Sequence, residues 1–383
     1  MHHFTFKEKL KHLFGFPVIV AALGYFVDVY DLLLFGIVRV PSLKDLGLDA
    51  DIAGTIILNF QMVGLLFGGI LWGVLGDKKG RLSVLFGSIL VYSLANIACG
   101  FLPQMHFADK VSIYAALRFI AGVGLAGELG AGITLVSESL PKELRAIGTS
   151  IVAGFGVLGA VVAQLTVELA GSWTLAYFIG GGLGLLLLLL RVGVFESGLY
   201  KNLEQESSIS KGNFFSFFTN KKRFLKYITC ITIGLPIWFC IGILVVMSNQ
   251  FAVVFDIKNI NPGKAIMWCY IGISVGDIAS GFISQALASR KKTILYMMFF
   301  TIIGVAALLL GAASTENEYY FICTCIGIGS GFWAMFITIA AEQFGTNIRS
   351  TAATIVAVIV FGLSIYATIT IDETHNRDMD FIE

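Results

Sequence analysis

The sequence predicts an all-α polytopic membrane protein built as two six-helix bundles related by a pseudo-twofold axis. Three observations carry that prediction. The 383 residues are 57% hydrophobic and 13% charged, with a mean hydropathy of +0.85, whereas soluble domains carry about 25% charged residues. Apolar segments of roughly 20 residues, the length of a bilayer-crossing helix, follow one another along the chain. They do not alternate in polarity as β-barrel strands do. Finally, one pattern of acids and bases recurs half a chain apart.

Eleven spans are expected, at 16–38, 52–75, 82–102, 112–136, 146–169, 173–193, 226–254, 265–288, 293–313, 319–341 and 350–371. Lys7, Lys9 and Lys11 lead directly into the first with no small-residue cleavage site, so no cleavable signal peptide is expected. Segment 194–225 is polar and rich in Ser and Lys, and reads as a linker between halves 1–193 and 226–383. The N-terminus, Lys78/Lys79/Arg81, Lys142/Arg145, the linker, Arg290/Lys291/Lys292 and Arg349 fall on one side, while the opposite loops hold only Arg39, Lys44, Lys110, Lys258 and Lys264. By the positive-inside rule the chain is an integral inner (plasma) membrane protein with a cytoplasmic N-terminus.

The internal repeat is read from two segments. Ser137–Arg145, SESLPKELR, precedes AIGTSIV, and Ala341–Arg349, AEQFGTNIR, precedes STAATIV. Glu138 to Arg145 and Glu342 to Arg349 are both seven residues, and the copies are offset by 204. An offset near half the chain indicates duplicated halves of the kind that rock around a central site.

At Gly73–Arg81, GVLGDKKGR, the chain resembles the signature loop of the major facilitator superfamily. The resemblance extends over nearly the whole length: RFIAGVGLAGE from Arg118, PKELR from Pro141, Glu196-Ser197, Glu373-Thr-His and Tyr30-Asp31 are similar to its sugar-porter and metabolite–proton symporter branches. Gly73, Gly76 and Gly80 permit a tight turn between spans two and three. Asp77 is placed to face the N-terminal dipole of a neighbouring helix. Arg81, Glu138 and Arg145 can pair at the inner face, mirrored by Glu342 and Arg349. These six residues are read as a cytoplasmic gate; the alternative is a set of solvated loop charges. Gly122–Gly127 fits GxGxxG, but it lies inside an apolar span without a strand before it, so a nucleotide site is rejected.

Ionisable groups inside spans cost about 2.5–3.5 kcal/mol each and default to function. Five stand out: Asp28, Asp31, Arg118, Glu128 and Asp277. Asp28 and Asp31, three apart, share one face of span one. Asp31 and Arg118 lie at matching depths in the outer halves of spans one and four. The resemblance implies that such an acid and arginine are the proton-coupling pair; the alternative is a static ion pair that fixes helix packing. Glu128, about 15 Å deeper on span four, is a second proton site or a substrate contact. Asp277 lines the cavity or caps a break in span eight. The five groups sum to −3, so some acids carry protons or a cation binds. Candidate substrate contacts are Arg118, Gln61, Gln164, Trp238, Asp277 and Trp333, with Asn59, Asn249 and Gln250 as further polar groups; Trp268 is read as an interface anchor.

These residues point to a secondary active transporter, a proton-coupled symporter of a small polar organic anion or zwitterion, working by alternating access. A proton-coupled exporter or antiporter uses the same fold. A receptor would need an output domain. An enzyme would need a nucleophile–base or metal cluster, and the five histidines lie at the ends or in a loop, while the six cysteines show no metal spacing. The expected partners are the substrate, protons and lipid. No cofactor, metal or nucleic acid is expected, and the chain is read as a monomer. The resemblance implies twelve spans. One is missing near Val360–Ser364, either because residues are absent from this chain or through a true deletion.

Overall fold

The computed structural model describes residues 13–79, 81–105, 109–141, 144–190, 220–257, 259–333, 335 and 339. Among them, twelve α-helices run in the order α1 Phe16–Asp45, α2 Ile52–Lys79, α3 Arg81–Gly100, α4 Lys110–Ser139, α5 Arg145–Gly156, α6 Leu158–Ala170, α7 Trp173–Leu190, α8 Lys221–Phe239, α9 Ser248–Val254, α10 Pro262–Leu287, α11 Arg290–Leu309 and α12 Glu316–Ser330. Eight stretches are long and apolar enough to cross a membrane; α5 and α6 form one of them, Ile147–Ala170. Large apolar side chains such as Phe67, Leu189, Phe299 and Phe321 stand exposed on the outer faces, where lipid rather than water meets them.

The helices start where the sequence supplies caps for otherwise unpaired amides. Asp49 accepts from the amides of Asp51 and Ile52 before α2. Asp109 accepts from Ser112 before α4, and those bonds hold its carboxyl below the usual carboxylate range. Asn261 caps α10, whose first residue is Pro262. Thr315 and Glu318 form a reciprocal capping box on α12.

Span seven departs from a plain helix. A π-turn, Cys240–Val245, separates α8 from α9. The predicted tenth span at 319–341 is helical from Glu316 to Ser330 and leaves the helix at Gly331 and Phe332. The eleventh span, linker residues 194–219 and the proposed break near Val360–Ser364 lie outside the described residues, while the last residues assigned to the linker, from Lys221, already belong to α8.

Close backbone contact organises both halves, and it repeats. A methyl group on Gly64 would overlap the Phe119 carbonyl, one on Gly68 the Val123 carbonyl, and one on Gly122 the Gln61 carbonyl. In the second half, Gly272 meets the Thr324 carbonyl, Gly276 that of Ile328, and Gly327 that of Cys269. The α2–α4 contact therefore recurs as α10–α12, 208 residues later on one helix and 205 on the other. Small residues let membrane helices approach to this distance.

Helix α1 is the innermost element. Its residues from Val27 to Val38 are buried on every side, as expected of a helix apolar all round. It packs on α4, α5, α6 and α7 of its own half and reaches α10 of the other. The halves meet mainly where α10 crosses α5 and α6; Ser274 Oγ donates to the Gly154 carbonyl at 2.6 Å.

Candidate functional site: a buried arginine beside an interface cavity

Four helices deliver polar groups to one point inside the first half. Arg118 on α4 is fully buried. Its Nη1 donates to Asn96 Oδ1 at 2.7 Å, its Nε and Nη2 to Gln61 Oε1 at 3.2 and 3.0 Å, and its Nη2 also to the Asp31 carbonyl at 3.2 Å. Gln61 in turn donates to the Leu32 carbonyl at 2.9 Å. The rings of Phe35 and Tyr177 lie 6.0 and 5.6 Å from the guanidinium carbon, within cation–π range. Tyr177 and Tyr114 share a 2.8 Å hydroxyl bond.

The sequence pairs Arg118 with the carboxylate of Asp31, and here the structure differs. The guanidinium takes the main-chain carbonyl of Asp31, and no Asp31 carboxylate oxygen comes within 4.0 Å of it. The carboxylate turns toward α7, where it occupies the place a side chain at Gly180 would fill. Neither of its oxygens has a hydrogen-bond partner of good geometry among the described residues, although the Asn96 amide lies close enough to act on it. The two charges are thus neighbours in a low-dielectric core without direct contact.

The repeat gives this cluster no twin. In the register of the glycine contacts, Cys323 occupies the position of Arg118 and Cys269 that of Gln61, both buried, while Tyr319 takes the place of Tyr114. The second half therefore keeps the packing and omits the charge.

One helical turn before Asp31, Asp28 faces a cavity between the halves. Its lining is Tyr25, Asp28, Val29, Leu32, Leu125, Val157, Ile241, Tyr270, Ile273 and Trp333. Its volume is about 10 Å³, room for about one water. Asp28 is 1% exposed, and neither carboxylate oxygen has a donor among the described residues. Trp238 packs edge-on against Trp333 with ring centroids 5.3 Å apart. Asp277 is buried on α10, the helix that carries Tyr270 and Ile273 of the lining. Helix α10 runs unbroken from Pro262 to Leu287, so Asp277 caps no break.

Several expected contacts belong elsewhere. Gln164 donates to Glu168 at 2.9 Å and abuts Gly263, at the end of the bundle assigned to the outside. Arg39, expected in a loop, is fully buried within α1, which continues past residue 38 to Asp45. Its Nη2 donates to Asn249 Oδ1 at 2.9 Å and to the Val246 carbonyl at 3.4 Å, and its Nη1 lies 3.9 Å from Asp51. Gln250 reaches Asp51 at 3.3 Å. Asn249 and Gln250 thus join the halves at the end where α1 finishes and are not among the residues lining the cavity. The side chains of Glu128, Asp77, Arg81, Glu138 and Arg145, and residues Glu342 and Arg349 altogether, lie outside the described residues.

Removing one partner of a hydrogen bond to a buried charge costs about 1.5–3 kcal/mol, so Asn249→Ala should loosen this clamp. In a background lacking the native cysteines, a cysteine at Leu32 should react with an outside maleimide at least threefold faster once Asn249 is alanine. An unchanged rate would show that the clamp does not hold the outer end closed.

Two mirrored helical bundles, a buried cation and acids along their seam define a carrier-type integral membrane protein. The Major Facilitator Superfamily model matches residues 21–368, and the chain belongs to that family. It is 33% identical over 165 residues to the niacin transporter NiaP of Acinetobacter baylyi, covering 42% of this chain and 36% of that protein, so the match spans about a third of that relative's length. It is 23% identical over 344 residues to the gentisate transporter of Corynebacterium glutamicum, covering 85% and 73%. Its fold is similar to that of the proton:xylose symporter XylE, with a TM-score of 0.61 and 14% identity over 97% and 98% of the two chains. The chain is a membrane transport protein and not an enzyme.

Proposed function

We propose that the chain is a proton-coupled symporter of a small polar organic metabolite, an anion or zwitterion, working by alternating access. The observation that carries this reading is Asp31: a fully buried carboxylate without a hydrogen-bond partner of good geometry among the described residues, one turn from an interface cavity and beside a fixed guanidinium. A carboxylate so placed is costly unless a proton or a cation comes to it. In this reading Asp31 carries the proton and Arg118 sets its affinity. Halves 1–193 and 226–383 swing about the cavity, joined through 194–225, in an inner membrane with the N-terminus inside. Asp77, Arg81, Glu138, Arg145, Glu342 and Arg349 close the cytoplasmic end. Relatives named as niacin and gentisate transporters support a small organic substrate.

The test is uptake by proteoliposomes under an imposed inside-alkaline pH gradient, screened across small organic acids and zwitterions. Accumulation that collapses on adding a protonophore is expected. Equal uptake with and without the gradient would remove proton coupling, and accumulation only with the gradient reversed would assign antiport.

A further inference from the structure

The geometry points to a binding site for a protonated amine in the interface cavity, with Asp28 as the counter-ion and Tyr25, Tyr270 and Trp333 as the walls. The assignment rests on the carrier reading above and narrows its substrate class, anion or zwitterion, to zwitterions, whose ammonium end Asp28 would hold. Three observations support it. Among the described residues that line the cavity, Asp28 is the only charged one. It is 1% exposed, and both of its oxygens lack donors among the described residues. It faces a space whose other polar and aromatic lining is Tyr25, Tyr270 and Trp333, backed by Trp238. A carboxylate set among aromatic rings suits an ammonium group, because the ring faces and the acid attract it together.

A plain carboxylate finds no such partner. Arg118 is not part of the lining, and four of its N–H donors are engaged by Gln61, Asn96 and the Asp31 carbonyl. Asp277 is buried on α10, about two turns beyond Tyr270, and supplies no cation to the cavity. A simple anion would face Asp28 with no cation among the lining residues. The cavity has room for about one water, so a ligand enters when the halves part.

Calorimetric titration of the purified full chain in nanodiscs tests this with three matched probes: benzylamine, 4-(aminomethyl)benzoate and benzoate. Both amines should bind at least tenfold tighter than benzoate. Asp28→Asn should weaken both amines at least tenfold while leaving benzoate unchanged, and Asp28→Glu should retain the preference. Should Asp28→Asn fail to fold, Trp333→Leu provides the second reading, with amine binding weakened and benzoate unaffected. Benzoate binding as tightly as benzylamine, absence of binding by both amines, or amine binding that survives Asp28→Asn would overturn the assignment. Vesicle flux on the same protein separates the two claims. Amine binding that depends on Asp28, without any flux, would refute the carrier reading alone, and proton-driven benzoate uptake without amine binding would refute the amine site alone.

Discussion

Asp31→Asn should abolish accumulation of substrate against its gradient and leave exchange of internal for external substrate intact. Asparagine keeps the shape of the side chain and cannot trade a proton. The scaffold around it has reason to survive, because Arg118 holds the Asp31 carbonyl, Gln61 and Asn96 and does not hold the carboxylate. The carboxylate lies in the slot left by Gly180, and an amide has the same volume. With one proton per cycle and a gradient of one pH unit, worth about 1.4 kcal/mol, the unaltered chain concentrates substrate up to about tenfold. The variant should level off at equal concentrations on both sides. Because exchange needs only the loaded carrier to reorient, its rate should stay within a few-fold of the starting protein. Radiotracer uptake and counterflow in the same proteoliposomes measure both. Full accumulation by Asp31→Asn would move the proton site elsewhere, and loss of counterflow as well would mean that the acid serves structure rather than coupling.

Much of this architecture could be read in advance, and the reasons are physical. Bilayer thickness fixes span length, so helix positions follow from apolar runs; ten of the eleven expected spans correspond to described helices. The offset of 204 between the acid–base repeats anticipates the 205- and 208-residue offsets of the glycine contacts. Depth along antiparallel spans also brought Asp31 and Arg118 to one level, and Gln61 was among the candidate substrate contacts. Direction around a helix was harder. That Arg118 would meet the carbonyl of Asp31 rather than its carboxylate depends on how α1 and α4 are rotated, which no spacing encodes. Asn96 was missed because no polar group of span three was weighed; an amide in an apolar span, a few residues from its outer end, was the available signal. Arg39 was assigned to a loop because span one was bounded at residue 38, although Pro41 lies within the helix. A membrane helix tolerates a proline when neighbours satisfy the freed groups, and α1 runs on to Asp45. Asn249 and Gln250 have the right chemistry for a pocket, but the π-turn at Cys240–Val245 stands between them and the rest of the span, and they sit at the outer clamp.

Arg118→Lys should be nearly as damaging as Arg118→Leu, although it keeps the charge. The guanidinium spreads its donors over two side-chain acceptors and one carbonyl carried by three other helices, α1, α2 and α3. An ammonium is a compact point charge with three donors on a flexible stem, and it cannot reproduce that planar fork. At least one of Gln61 Oε1, Asn96 Oδ1 and the Asp31 carbonyl would be left buried without a partner, at about 1–3 kcal/mol for each. The cation–π contact with Phe35 and Tyr177 weakens too. The helices would still pack, since the glycine contacts of α2 and α4 do not involve the side chain of Arg118. We therefore expect a folded, monodisperse protein with gradient-driven uptake reduced at least a hundredfold and a lower melting temperature in detergent. Arg118→Leu removes the charge as well, leaving Asp31 without its neighbouring cation, and should lose exchange in addition to accumulation. The contrast between the two variants separates geometry from charge. If Arg118→Lys transported like the starting protein, charge alone would suffice at this position, and the hydrogen-bonded fork would be an accident of packing.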